Sequence, residues 1–149
     1  MLTYKVFIFI AMILLHILED FHLQGILANM KQKSWWQSEC VKLGITYESS
    51  KYRRDHVVSL IMHALENSIF ITLPLIIDGL ITTFTTNPNN CLFIGWVFII
   101  FANTVAHAII DDFKCNSKGI NLIVDQILHF IFIILFFSLY EKYLGLWVR

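Results

Sequence analysis

Cysteine is scarce in this chain. Cys40, Cys91 and Cys115 are the three in 149 residues, and no two stand in CxxC spacing. The apolar runs around them put Cys91 on one side of a membrane and the other two opposite, so a disulfide framework is not expected. Proline is limited to two residues, and only Pro74 interrupts an apolar run. Its missing N–H predicts a kink there. Neither sign of charge is in excess, since eleven Lys and Arg balance eleven Asp and Glu. The basic residues are gathered between the apolar runs, where membrane topology explains them, so nucleic acid is not an expected partner. Internal repeats and low-complexity segments are lacking too. The most informative absence is of polar helix faces: the runs Leu92–Ile110 and Ile127–Tyr140 have none, which excludes an ordinary soluble bundle.

Hydrophobic residues make up 57% of the chain, and they are gathered in four runs: Val6–Leu18 continuing to Ala28, Val57–Ile77, Leu92–Ile110 and Ile120–Tyr140. Each is close to the roughly 20 residues that cross a bilayer. The expected fold is an all-α polytopic membrane protein of one domain, 1–149, with helices at about 3–30, 57–81, 92–112 and 120–141. The connection 31–56 could hold a short interfacial helix, because Trp35 and Trp36 flanked by lysines suit the membrane–water boundary. Thr82–Asn90 reads as a turn-rich loop, and Asn116–Gly119 as a tight turn joining helices three and four into a hairpin. The N-terminal run resembles a signal peptide but carries a polar ladder that such peptides lack, and it is read as retained.

Lys31, Lys33, Lys42, Lys51, Arg53, Arg54, Lys114 and Lys118 are eight of the eleven basic residues, and all lie in two connections. The positive-inside rule puts those connections in the cytoplasm and both termini outside an inner (cytoplasmic) membrane.

The polar residues inside the runs keep helical spacing. His16, Asp20 and Gln24 are four apart, as are Asn103, His107 and Asp111, and Asp125 and His129; His63 has Glu66 and Asn67 three and four on. Four apart means one helix face. Depth agrees as well. At roughly 1.5 Å per residue, His63, His107, Asp125 and His129 all lie about 8–14 Å inside the cytoplasmic boundary. An ionisable group in hydrocarbon costs roughly 2.5–3.5 kcal/mol and persists where it meets a partner, a cavity or an ion.

Imidazoles and carboxylates converging from four helices suit a divalent metal, zinc first. His16, His63, His107, His129 and Asp125 are the expected ligands. Asp20 and Asp111 are expected as base, ligand or orienter, since an open metal position acidifies water toward neutral pH. Gln24 and Gln126 would hydrogen-bond substrate or ligands. Lys114, with Lys31 at the mouth, would hold an anionic group such as a lipid phosphate. Asn67 and Asn103 read as interhelical glue. His22 and His56 read as solvated or interfacial, Asp112 and Lys114 as able to cap helix three, and Glu19 and Asp78 as facing water or headgroups.

The ordered pattern His16-x3-Asp20-Phe21-x2-Gln24, Lys31, His63, His107-x3-Asp111-x2-Lys114 and Asp125-Gln126-x2-His129 resembles the small prokaryotic membrane-protein family catalogued as domain of unknown function 3307. The resemblance runs from helix one to helix four; Gln32–His56 and Glu66 lie outside it. It implies a prokaryotic or phage source but no settled activity. The polar layer is also similar in style to that of bacterial membrane-bound metal-dependent hydrolases. The expected function is a metal-dependent intramembrane hydrolase acting on a lipid or lipid-linked ester or phosphoester. The alternatives are a small proton or ion transporter, whose path could form between subunits of a homo-oligomer, and a non-catalytic module acting through protein partners.

Overall fold

An apolar run of helix-favouring length closes its own backbone hydrogen bonds, the economical state for a single segment in hydrocarbon. The computed structural model describes residues 2–86 and 91–144. Among these there is no strand. The elements are α1 Leu2–Leu18, α2 Leu27–Met30, α3 Lys33–Lys42, α4 Asp55–Thr86, α5 Cys91–Cys115 and α6 Leu122–Leu139. Four helices among the described residues are long and apolar enough to cross a membrane: Thr3–Leu23, Asp55–Ile81, Phe93–Cys115 and Leu122–Lys142. Their outer faces are greasy, with Phe7, Ile94, Phe101 and Ile123 each at least 67% exposed. Apolar residues on both the inner and outer faces mark a bundle whose solvent is lipid.

The first helix differs from the expected continuous 3–30. After Leu18 the chain widens into a turn over Glu19–Leu23, where Gln24 N–H donates to Glu19 O at 3.1 Å, five residues back. It then breaks at Gly25, whose φ of +50° only glycine adopts without strain. The short α2 follows. Wide turns of this kind insert an extra residue into the helical register and often accompany functional sites.

The remaining boundaries shift by about a turn. α4 runs through Pro74 as one helix of 32 residues. It keeps Thr82–Thr86, expected in the loop, because the first helix-breaking pair is Asn87-Pro88; residues 87–90 of that loop lie outside the described residues. α5 continues past Asp112 to Cys115 and closes with Lys118 at φ +53° and Gly119 N–H on Phe113 O at 2.9 Å. The Asn121 side chain caps α6 by accepting from Val124 N–H at 3.0 Å. The connection 31–56 does hold a helix, α3, and is pinned to the hairpin turn: Lys33 N–H donates to Asn116 Oδ1 at 2.7 Å, and Asn116 Nδ2 donates to Lys31 O at 3.2 Å.

The interior has two layers. Ile8, Met12, Ile71, Leu75, Ile99, Ile133, Phe136 and Tyr140 form one apolar cluster. They come from the middle of α1, the second half of α4, the first half of α5 and the far half of α6, with Tyr140 just after it. In an up-down-up-down bundle those segments are level. The opposite halves bury His16, Glu19, Asp20, His63, Asn67, His107, Asp111, Asp125 and His129. The polar layer is thus at the end carrying the basic connections. Beyond the apolar layer, Tyr140 O–H donates to Asp78 Oδ2 at 2.8 Å, and Lys5 pairs with Glu141. Asp78 is therefore partly buried and paired, rather than turned to water. Gly79 lets α5 come close to α4: a Cβ there would fall 2.3 Å from Trp96 Cζ2.

Candidate metal centre

Each polar ladder presents its side chains inward, and the ladders meet. His63 on α4 and His107 on α5 face each other with their Nε2 atoms 3.2 Å apart. Asp111, one turn after His107, puts Oδ2 3.2 Å from His63 Nε2 and 3.7 Å from His107 Nε2. Asp20, brought in by the wide turn of the first helix, puts Oδ1 3.6 Å from His63 Nε2. Two donors of a tetrahedral zinc ion, each at about 2.0–2.1 Å, are about 3.3–3.4 Å apart. The contacts of this group bracket that edge. Asp20, His63, His107 and Asp111 are all buried, and one donor atom from each lies within 4.8 Å of the others.

A second group adjoins it. His129 Nε2 stands 3.5 Å from Asp111 Oδ1 and 3.5 Å from Asp125 Oδ1. Asp111, Asp125 and His129 again have donor atoms within 4.8 Å of one another. These buried His/Asp groups could hold a metal ion. Donor atoms stand ready: His129 Nε2, Asp111 Oδ1 and Asp125 Oδ1 are buried and make no hydrogen bond. Orphaned buried polar atoms are rare, and each calls for an unseen partner.

The surroundings orient the donors. Glu19 Oε1 lies 3.2 Å from His63 Nδ1, the ring nitrogen turned away from His107. Asn67 Nδ2 donates to the other Glu19 oxygen and lies 3.3 Å from His16 Nδ1. A carboxylate behind a ligating imidazole fixes its tautomer and raises its basicity. Lys31 Nζ donates to Asp111 Oδ2 at 2.6 Å, and Lys114 Nζ to Asp125 Oδ2 at 2.5 Å. Gln126 Nε2 donates to Asp20 Oδ2 at 2.7 Å and Asp125 Oδ2 at 3.1 Å. Four buried carboxylates, of Glu19, Asp20, Asp111 and Asp125, meet only the two ammonium groups of Lys31 and Lys114. With neutral imidazoles, two negative charges stay uncompensated in a low-dielectric layer, a costly state that a divalent cation would relieve.

His63, His107, His129, Asp20, Asp111 and Asp125 are brought together as the spacing predicts. His16 is not in either donor group. It is fully buried, its ring 5.1 Å from that of His129, with Nδ1 turned to Asn67. Gln24 is at the break before Gly25, where its amide donates to the backbone oxygen of Asp20, so it stands beside the centre. Glu66 is only partly buried and joins neither group. Lys31, expected at the mouth, is 5% exposed and locked on Asp111. Asn67 and Asn103 do bind across helices, Asn103 Nδ2 donating to Ser68 Oγ at 2.9 Å. His22 is exposed, and His56 is half-buried against Tyr47 O–H at 3.1 Å.

Glu19 overturns its expectation of facing water: it is fully buried behind His63. The signal was present, because Glu19 is three residues after His16 and a helix groups i+3 with i+4.

Comparison with protein-family models, with curated proteins and with solved structures finds no match.

Proposed function

We propose that this protein is a metal-dependent hydrolase of the inner membrane, acting on a lipid or lipid-linked ester or phosphoester. One observation carries the reading: His63, His107 and Asp111 bury three donors spaced as the edges of one coordination shell, with Asp20 beside them, in a layer where lipid surrounds the bundle. A bound divalent cation supplies Lewis acidity and makes water acidic enough to be a nucleophile near neutral pH. The chain's own groups do the rest. Asp20 turns one oxygen to the centre and the other to Gln126, the attitude of a carboxylate that takes a proton from water. Lys114 and Gln126, both part-exposed at the rim, would hold an anionic group beside it. The basic connections favour a centre that opens to the cytoplasm, with the termini outside. The resemblance to the family catalogued as domain of unknown function 3307 rests on the same residues and supports a shared site without specifying a reaction.

Two rivals are weaker. A proton or ion path needs polar groups through the full depth of the bundle, whereas Met12, Leu75, Ile133 and Phe136 close the other half. A module acting only through partners has no need of buried donors left without a hydrogen bond. The test is the purified protein in lipid nanodiscs, assayed for headgroup or phosphate release from a panel of phospholipids and lipid-linked phosphates. Chelator should abolish release and added Zn²⁺ restore it. Protein that binds no divalent metal would overturn the proposal.

A further inference from the structure

Asp111 occupies a special place among the donors. Its two oxygens serve different groups: Oδ2 faces His63 Nε2 at 3.2 Å and His107 Nε2 at 3.7 Å, while Oδ1 faces His129 Nε2 at 3.5 Å. It is fully buried and cannot turn to solvent. His107 and His129 stack with ring centroids 4.2 Å apart, so the two groups adjoin, and they share Asp111 alone. Oδ1 of Asp111, Oδ1 of Asp125 and Nε2 of His129 are all buried without a hydrogen bond. One ion in the first group would leave those three with only their mutual 3.5 Å contacts.

From this arrangement we infer that the centre holds two divalent ions bridged by the Asp111 carboxylate: one on His63 and His107, with Asp20 beside it as base, the other on His129 and Asp125. The inference rests on the metal-dependent reading above and sharpens its substrate. Two-ion sites with the ions about 3.5–4 Å apart clamp the attacking and leaving oxygens of phosphoryl transfer. Charge points the same way. One divalent ion neutralises the deficit of the four carboxylates and two lysines, and a second leaves two positive charges in excess. An anionic phosphodiester offsets part of that excess, which an uncharged carboxyl ester would not. In that reaction Asp20 takes a proton from water and the hydroxide oxygen bonds to phosphorus. The bond from phosphorus to the leaving alcohol breaks, and the proton returns to the leaving oxygen. Lys31 and Lys114, now on Asp111 and Asp125, would then be freed by the ions to hold the phosphate.

The experiment is metal stoichiometry on wild-type protein in nanodiscs, loaded with Zn²⁺ and, separately, with Mn²⁺ for electron paramagnetic resonance. Two ions per chain and an exchange-coupled Mn²⁺ signal are expected. His129→Ala should retain about one ion and lose the coupling; Asp111→Asn, checked for helicity by circular dichroism, should also lose it. One ion per chain in the wild type would overturn the pair while leaving the metal centre standing, and no ion would overturn both. In the lipid panel, cleavage of carboxyl esters with phosphoesters untouched would overturn the phosphoester assignment.

Discussion

His63 and His107 aim their Nε2 atoms at each other across the α4–α5 interface at 3.2 Å. Two imidazole nitrogens facing this closely can share one proton or one cation. Glu19, 3.2 Å from His63 Nδ1, decides which ring atoms are left over. A proton placed on Nδ1 leaves Nε2 as a lone pair aimed into the group, the form a metal requires. The pairing is thus the point at which a packing interaction and a ligand set make different predictions.

Glu19→Gln tests the orienting role. The variant keeps the shape and the contact with Asn67 but loses the charge behind His63. Metal affinity should fall by about 10–100-fold, the usual effect of removing such a partner, while a substrate's KM at saturating metal changes little. Competition titration with a fluorescent chelator measures it. Unchanged affinity would show that Glu19 is only a packed, hydrogen-bonded acid.

Asp20→Asn and Asp111→Asn separate an enzyme from a scaffold. Both are nearly isosteric, so the bundle should insert and stay helical. Hydrolysis should be lost in each, and His107→Ala should additionally lower metal content. Interhelical polar contacts in membranes average only about 0.6 kcal/mol, so a purely structural network would tolerate the amides. Full activity in the double Asn variant would end the catalytic reading.

Lys31→Met links stability to metal. Lys31 and Asp111 are a buried pair, with side chains 6% and 0% exposed. Removing one partner of a buried pair costs about 3–5 kcal/mol, because the other charge is stranded. In this centre a bound cation would replace the missing ammonium. The variant should unfold well below wild type with chelator present, and the gap should narrow when Zn²⁺ is added. A gap indifferent to metal, read by thermal melting in detergent, would mean that no cation reaches Asp111.

Gly79→Ala tests helix packing away from the centre. Its Cβ would meet Trp96 Cζ2 at 2.3 Å, and overpacking of this sort costs about 1–3 kcal/mol. Melting should drop, metal content should stay, and Trp96→Ala should recover part of the loss in the double variant.

Topology can be read with thiol labelling. Cys40 is 1% exposed, so a cysteine at an exposed site is the better reporter. With Cys40, Cys91 and Cys115 replaced by serine, Ser117→Cys in the α5–α6 turn should resist an impermeant reagent on intact cells and react after permeabilisation, since both basic connections are expected inside. Reaction on intact cells would reverse the orientation.

The sequence by itself determined the all-α class, the four apolar helices and most of the buried polar layer, Glu19 and Lys31 excepted. The reason is local. A helix of about 3.6 residues per turn puts residues four apart on one face, so His107 and Asp111, or Asp125 and His129, are committed to a common direction whatever surrounds them. A rise of roughly 1.5 Å per residue likewise levels the ladders of four helices, because depth depends only on counting from the ends.

What only the tertiary structure decided was who meets whom. Periodicity fixes a side chain's direction about its own axis, not the rotation of one helix against another, and a ligand set depends on differences of a few tenths of an ångström. So His16, with the same ladder credentials as His107, turns to Asn67 and stands outside both donor groups. Glu19, in the wide turn, meets His63 on α4, and Lys31, beyond the break at Gly25, meets Asp111 on α5. That Asp111 would face His63 with one oxygen and His129 with the other depends on three helices packing at once, and no single helix's periodicity contains it.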